Sequence, residues 1–513
     1  MKYVTIFHAN LNYAYLPERR YEFVIRNSYE LILDTMRQDC PGDKYVFEAS
    51  GYTIEQIALK TPDVIDKLRT AVGSGQCEFM GSPYAHPMLA NFPEQDGAWA
   101  IEFANEMYRK YLGLQPRSFW NPECGWRSYV KRQVVGNGYR NLLGEFEAYS
   151  RSRGRDGKPL RPEIHQVEKI DDSRFYNFEF KYDLAGTEKA IHFPFKNVEG
   201  IEGDKLRIFL RTDRIAVFGV WYFMSHPGHT LENYLKLIDK FSQQPAGEPE
   251  GAMLIYADDA EYIGTNAWYK LKYCNNPEDI FQKMPDAREK LVALISEVRK
   301  RGQFTTFDEA CNRLPALEAP INFDDDSAWH GGRASNWAST PMARLLRPWQ
   351  DLVREKLHAL EKTLSGPVAR QVWYHLTNSY NSDGQWPPTT KASPHIIYPF
   401  NYQYCFENLL AAETLVGPVD RSRLNTDPIA SLKEILTLQQ DLVLAKAEQL
   451  LAEGDARQKE EAELAKELVL RSRDVGGLPR NSKVLYPADY SVRANALMQA
   501  RQLVGGLVVA GDK

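Results

Sequence analysis

The chain has 513 residues, 43% of them hydrophobic, 26% charged and 12% aromatic, with a formal net charge of -5. That length exceeds what one ordinary core organises and fits a barrel of about 250–330 residues plus one further domain. The mild negative charge excludes the clustered basic footprint of a nucleic-acid-binding protein, and no apolar run approaches the roughly 20 residues that cross a bilayer.

Met1 to His8 lacks the apolar h-region of a signal peptide and reads as a first strand. The six cysteines are scattered, with no CxxC pair and no zinc spacing. Together these set the expectation of a cytoplasmic protein with reduced thiols and neither a nucleic-acid nor a membrane partner. Along the first 310 residues, short apolar runs alternate with helical patterns, the mark of βα units. The strands are expected at Tyr3–His8, Lys44–Glu48, Cys77–Met80, Ser118–Trp120, Leu206–Leu210, Ala252–Tyr256 and Phe304–Thr306. Helices are expected at Ala98–Leu112, which stops at Gly113, and at Asp286–Arg301. An insertion is expected around 146–205, where Arg151 to Arg161 reads as a solvated basic stretch.

The pattern changes near 315. The segment Leu314–Asp326, with Pro315, Pro320 and three consecutive acids, reads as a connection. Six helical stretches follow, at Pro341–Leu364, Pro367–Ser379, Asn401–Leu415, Pro428–Ala452, Gln458–Arg471 and Tyr490–Leu507. The expected division is therefore a barrel over 1–315 and an α-helical domain over 316–513 that contributes to the cleft.

Polar clusters sit at the carboxyl ends of four expected strands: His8 to Tyr13, Glu78 to Pro87, Trp120 to Trp126 and Tyr256 to Gly264. In a βα barrel that rim is where catalytic side chains converge. Two of the clusters carry carboxylates, more than a hundred residues apart in sequence, and two opposed carboxyl groups are the minimum equipment for cleaving a glycosidic bond. Glu123 is flanked by Trp120 and Trp126. The other motif offers Asp258, Asp259 and Glu261, where like-charge repulsion raises the proton affinity of one member and suits a proton donor. Taken singly, a Glu after a strand more often faces solvent or caps a helix, and an Asp pair more often makes a turn. The coincidence at strand ends is what favours a site.

These residues resemble conserved regions of glycoside hydrolase family 57, whose members act mainly on α-glucans. Trp120-Asn121-Pro122-Glu123-Cys124-Gly125-Trp126 is similar to its third region and Asp258-Asp259-Ala260-Glu261-Tyr262-Ile263-Gly264 to its fourth. Gly75 to Pro87 is similar to the second region, with His86 as its histidine, and His8 matches the first histidine of region one. Trp329-His330-Gly331-Gly332 through Trp337 resembles the fifth region, and Asn381-Ser382-Asp383-Gly384-Gln385-Trp386 a polar loop of related enzymes. The resemblance implies a (β/α)7-type barrel followed by an α-helical bundle, a retaining mechanism, and neither cofactor nor required metal. It implies Glu123 as nucleophile and Asp259 as general acid/base. The expected sugar contacts are His8, Asn10, Glu48, His86, Trp120, Trp126, Trp221, Asp258, Glu261, Trp329, His330, Asp383 and Trp386, and the expected substrate is an α-glucan or malto-oligosaccharide. Region one departs from its His-x-His-x-Pro form: Asn10 stands in place of the second histidine.

Two rival readings come with this one. A metal-dependent carbohydrate hydrolase or deacetylase would use His8, His86 and Asp259 as ligands, without the close ligand spacing such sites favour. A non-catalytic glycan-binding protein would hold sugar on its aromatics without cleaving it.

Overall fold

The computed structural model describes residues 1–474 apart from 14–15, 17, 165–167, 173–176, 182–188, 202–204, 268, 270–280, 386–398, 425–440 and 442–443. Ten strands concern the site: β1 Lys2–Ala9, β2 Tyr45–Ala49, β3 Cys77–Gly81, β4 Ser118–Phe119, β5 Asn141–Glu145, β6 Glu168–Asp172, β7 Asn177–Lys181, β8 Arg207–Arg211, β9 Ala252–Asp259 and β10 Gln303–Phe304. Seven of them form a nearly closed parallel barrel in the order β9, β1, β2, β3, β4, β5, β8, and β10 pairs with the start of β1 at the floor. Among the described residues no ladder joins β8 to β9. The expected (β/α)7-type barrel is the observed architecture.

Residues two apart on a strand share a face, and this sorts each barrel strand into an outer and an inner row. On β1, Tyr3 and Phe7 pack outward against the helices. Val4 and Ile6 fill the barrel with Val46, Met80, Leu143, Phe209 and Leu254. The next inward position up each strand then lies at the mouth: His8 on β1, Glu48 on β2, Glu145 on β5 and Arg211 on β8. An apolar plug thus carries a polar lid at the carboxyl ends of the strands. β5 is absent from the expected elements because its inward residues at both ends, Asn141 and Glu145, are polar and disguise a fully buried strand.

Between β5 and β8 the chain leaves the barrel through helix Phe146–Arg151 and the antiparallel hairpin β6–β7. The basic stretch expected to be solvated is anchored at its end. Arg161 is buried, its guanidinium stacks 3.5 Å from the Tyr149 ring centre, and it donates to the Tyr149 and Asn322 carbonyls at 2.7 Å. A guanidinium that keeps its hydrogen bonds can be buried where an isolated charge cannot.

Beyond the barrel the described chain is mainly helical, with helices Pro341–Leu360, Gly366–Asn378, Pro399–Val416 and Ala456–Asp474. The stretch expected at 428–452 lies largely, and that at 490–507 wholly, outside the described residues. This region is fastened to the barrel by buried polar contacts as well as by packing. The Asp96 carboxylate accepts from the Tyr380 hydroxyl at 2.7 Å, and Trp373 stacks on Trp99 of helix Glu94–Met107. Within the region, the buried Trp349 indole donates to Glu413 at 2.6 Å. No described helix is long and apolar enough to cross a membrane. The five described cysteines are free and buried.

Candidate active site

Glu123 follows β4 in a tight turn, and both it and Cys124 adopt left-handed backbone angles, φ 55 and φ 47. His86, after β3, and His330 do the same at φ 53 and φ 58. Non-glycine residues rarely sit there, and held strain of this kind clusters at functional sites. The turn buries the Glu123 carboxyl, leaving the residue 4% exposed. Its Oε1 accepts a 3.0 Å hydrogen bond from Ser382 Oγ and lies 4.0 Å from His86 Nδ1. Burial first, and the Asp383 carboxylate second, push the Glu123 carboxyl up to about 8.

A β-bulge places the second carboxyl. On β9, Leu254 pairs with Val4, but Thr5 pairs with Tyr256, so one residue is skipped in the ladder. Below the bulge Ala252 and Leu254 face the barrel interior; above it Ala257 does. Asp259, two residues further, therefore takes the inward position opposite His8. Without the bulge that position would fall to Asp258. Asp259 Oδ2 accepts from the Tyr13 hydroxyl at 2.6 Å and Oδ1 lies 4.0 Å from His8 Nε2.

His8 and His86 together bridge the two carboxyls. His8 Nδ1 is hydrogen-bonded to the fully buried Glu48 carboxylate, and the His8 ring stacks on Trp120 at 4.7 Å and 11°. The His86 ring is 5.0 Å away. Burial alone would push His8 down, yet Glu48 holds it up at about 10, so His8 is cationic at neutral pH. His86 is the reverse: burial, then the His8 charge, drive it well below its ordinary value and keep it neutral. The two imidazoles are thus a cation and a neutral donor–acceptor in one pocket.

Beside this pair the acids are crowded. Glu261 is buried, accepts from the Asn10 N–H at 2.9 Å and from the Tyr29 hydroxyl, and is pushed up to about 8 by burial and Asp259. Gly264 closes that turn because a Cβ there would lie 1.7 Å from the Asn27 carbonyl oxygen. Asp258 turns to the seam beside β8. It accepts the Asp259 N–H at 2.9 Å, lies 3.8 Å from Arg211, and is raised to about 7 by burial and Asp259. A second cluster continues from there. Arg211 pairs with Asp213 at 2.7 Å, and Asp213 with His330 Nδ1 at 2.7 Å. Glu147 accepts the Asp213 N–H, and Glu145 accepts the His330 N–H at 2.9 Å. Trp329 covers Arg211 at 4.3 Å and meets Trp120 at 5.8 Å. Glu145, Asp213 and His330 each offer one oxygen or nitrogen within 4.8 Å of the others, the spacing of metal ligands. Arg211, paired to Asp213 and touching Asp258, supplies the positive charge that this cluster needs.

The structure gathers His8, Asn10, Glu48, His86, Trp120, Glu123, Asp258, Asp259, Glu261, Trp329, His330 and Asp383 at one mouth. It does not bring all of them to a surface a sugar could touch. Glu48 and Trp120 are fully buried, Glu48 behind His8 and Trp120 beneath it, so both shape the pocket from behind. Trp126 packs on Phe323, and Trp221 sits on helix Asp213–Phe223 against His226 and His229, away from this cluster. Trp386 lies outside the described residues. Asp383 belongs to the mouth through its hydrogen bond from Asn10 Nδ2 at 3.0 Å. The site residues expected from the sequence omit Glu145, Arg211 and Asp213, while Tyr13 and Ser382 fall inside motifs whose other members are the expected contacts. Arg211 and Asp213 directly follow an expected strand, so the strand-end rule could have found them. Ser382 lies in the Asn381–Trp386 loop, where Asp383 and Trp386 are the expected contacts.

The glycosyl hydrolase family 57 model matches residues 1–316. Among curated proteins, the 4-alpha-glucanotransferase of Thermococcus kodakarensis is 23% identical over 306 residues and the alpha-amylase of Pyrococcus furiosus 23% over 309. Each alignment covers 58% of this chain and 44% of the relative, so the chain matches under half the length of either. Of solved structures, the GH57-type branching enzyme from Pyrococcus horikoshii superposes with a TM-score of 0.59 at 12% identity, over 85% of this chain and 94% of that one. The 4-alpha-glucanotransferase from Thermococcus litoralis gives 0.54 at 14%, over 82% and 59%. At those identities the structures speak for the shared fold. With the family model spanning the whole barrel, the chain belongs to glycosyl hydrolase family 57.

Proposed function

We propose that the chain is a retaining glycoside hydrolase or transglycosylase acting on α-1,4-linked glucose chains. Glu123 attacks the anomeric carbon while Asp259 donates its proton to the leaving oxygen. Asp259 then takes a proton from water or from a sugar hydroxyl, which releases the glycosyl group from Glu123. The observation that carries this reading is the convergence of Glu123 and Asp259 on one imidazole pair, each carboxylate 4.0 Å from one ring. The substrate class rests on relatives whose names specify it, a 4-alpha-glucanotransferase and a 1,4-alpha-glucan branching enzyme. Incubation with maltoheptaose tests it and assigns the acceptor. Shorter sugars alone mean hydrolysis, longer chains mean transfer, and new α-1,6 links mean branching. No change in the sugar would defeat the substrate assignment.

One observation favours exchanged roles. A carboxyl held near 8 by burial, as Glu123 is, has the proton affinity of a general acid. Azide separates the two assignments on an activated α-glycoside. If Glu123 is the nucleophile, Glu123→Ala with azide gives the β-glycosyl azide, because azide enters from the vacated face. If Glu123 is the acid, the same variant gives the α-azide.

A further inference from the structure

The loop 381–385 comes from the helical region, yet it is laced to the barrel rim. The Ser382 N–H donates to the His86 carbonyl at 3.1 Å, and Asn381 Nδ2 to the Ala85 carbonyl at 2.8 Å. Asn381 Oδ1 also accepts the Gly384 N–H at 2.9 Å, which sets the turn that follows. These contacts leave the Ser382 side chain fully enclosed, with Oγ 3.0 Å from Glu123 Oε1 and 3.2 Å from His86 Nδ1.

The protons in this trio can be assigned from chemistry. His86 is neutral and carries one ring proton, and Ser382 has a single hydroxyl proton. With Glu123 ionised and that hydroxyl donating to it, Oγ is left as the acceptor, so the His86 proton sits on Nδ1. The chain therefore runs His86 Nδ1–H to Ser382 Oγ–H to Glu123 Oε1. His86 Nε2 remains as a buried bare acceptor with no partner among the described residues.

We propose that Ser382 is a positioning residue: its hydroxyl, oriented by His86, fixes the Glu123 carboxyl in place, so the helical region completes the reactive centre of the barrel. The catalytic part rests on the glycosidase reading above. A donor aimed at a carboxylate oxygen favours the ionised form that a nucleophile needs. It acts against the other groups facing Glu123. Asp383 on the same loop and Asp259 on β9 favour the protonated form, while His8 on β1 favours the ionised one. His86 is neutral, and the buried Cys124 thiol beside Glu123 is kept neutral by burial and by Glu145.

The test compares the full chain with Ser382→Ala and Ser382→Thr by two readouts. The first is the pH midpoint of the Glu123 carboxyl, read as the infrared C=O stretch that Glu123→Gln removes. The second is the pH profile of kcat/KM on maltoheptaose. Loss of the donor is expected to raise the midpoint by about one pH unit, and to lower kcat/KM about tenfold on the acid side at little cost in KM. Ser382→Thr, which keeps the hydroxyl, is expected to restore both. A midpoint unmoved in Ser382→Ala overturns the proposal, as does a shift that Ser382→Thr fails to reverse. If the infrared shift appears but the wild-type chain leaves maltoheptaose untouched, the glucan reading falls and the Ser382–Glu123 link stands.

Discussion

On the β1–β3 side of the mouth the cation among the carboxyls is an imidazole, His8; on the β5–β8 side it is a guanidinium, Arg211. Both cations are buried, and each is held by one carboxylate, Glu48 or Asp213. The consequences differ. An imidazole can lose its proton, so the positive charge that His8 lends to Glu123 and Glu261 hangs on the Glu48 contact. Glu123 and Glu261, both near 8, lie within range of a protonation change at working pH. A guanidinium keeps its charge. On its side Asp213 is held below its ordinary value by His330 and Arg211 against the effect of burial, while Glu145 and Glu147 carry the excess protons. Asp258 and Glu147, raised to about 7, can change protonation here as well, but only the His8 side can lose its cation. Trp120 and Trp329 lie between the two sides.

The sharpest way to break this contrast is Glu123→Gln. Removing the proposed nucleophile is expected to lower kcat on maltoheptaose by about four orders of magnitude or more. Calorimetric titration of the same variant should still register sugar binding. Full turnover would mean that Glu123 is not the nucleophile.

The next largest effect belongs to the opposite side and falls on stability. Arg211→Met strips the permanent cation from a buried group of acids and is expected to cost about 3–5 kcal/mol in urea unfolding. A loss under about 1 kcal/mol would show that Arg211 does not hold that side together.

A third prediction concerns pH. With Glu123 as nucleophile, activity needs its ionised form, so the acid limb of kcat/KM should extend up to about 8, while the need for a protonated Asp259 sets the fall on the alkaline side. A fall through the range of that acid limb would instead support the exchanged roles. Glu48→Gln sharpens the point. Without Glu48, burial dominates and His8 becomes neutral at pH 7. Glu123 then loses its cationic neighbour, and the rising limb should move above 8, with about a tenfold loss at pH 7.

The smallest expected change is His330→Asn. The side chain lies partly exposed at the rim, and an amide can keep a hydrogen bond to Asp213. Activity within about fivefold of wild type is expected, with the unfolding midpoint lowered by a few degrees. A larger loss of kcat than in Glu48→Gln would mean that His330 bears on the chemistry more than the His8–Glu48 pair does.

Much of this was legible beforehand. Strand-end position alone pointed to His8, Glu123 and the Asp258–Glu261 acids, because a parallel barrel exposes polar groups mainly at that rim. Strand β5 escaped because Asn141 and Glu145 face inward as polar residues where an apolar run is the usual sign. Arg161 was misplaced because a basic stretch gives no hint that Tyr149 and Asn322 will enclose its last guanidinium. Nothing in the sequence records how Trp126 and Trp221 pack, one against Phe323 and the other against a histidine pair.

The sequence by itself determined the barrel, the family and the two motifs that bear the carboxyls, since periodicity and local spacing are properties of a chain. Only the tertiary structure decided which acid faces in. A single skipped residue on β9 reverses the phase of the strand and exchanges Asp258 for Asp259. Only tertiary structure, too, could bring Ser382 to Glu123 across 259 residues, or set Glu48 behind His8. Proton affinities depend on what surrounds a group in space, and no local pattern records that.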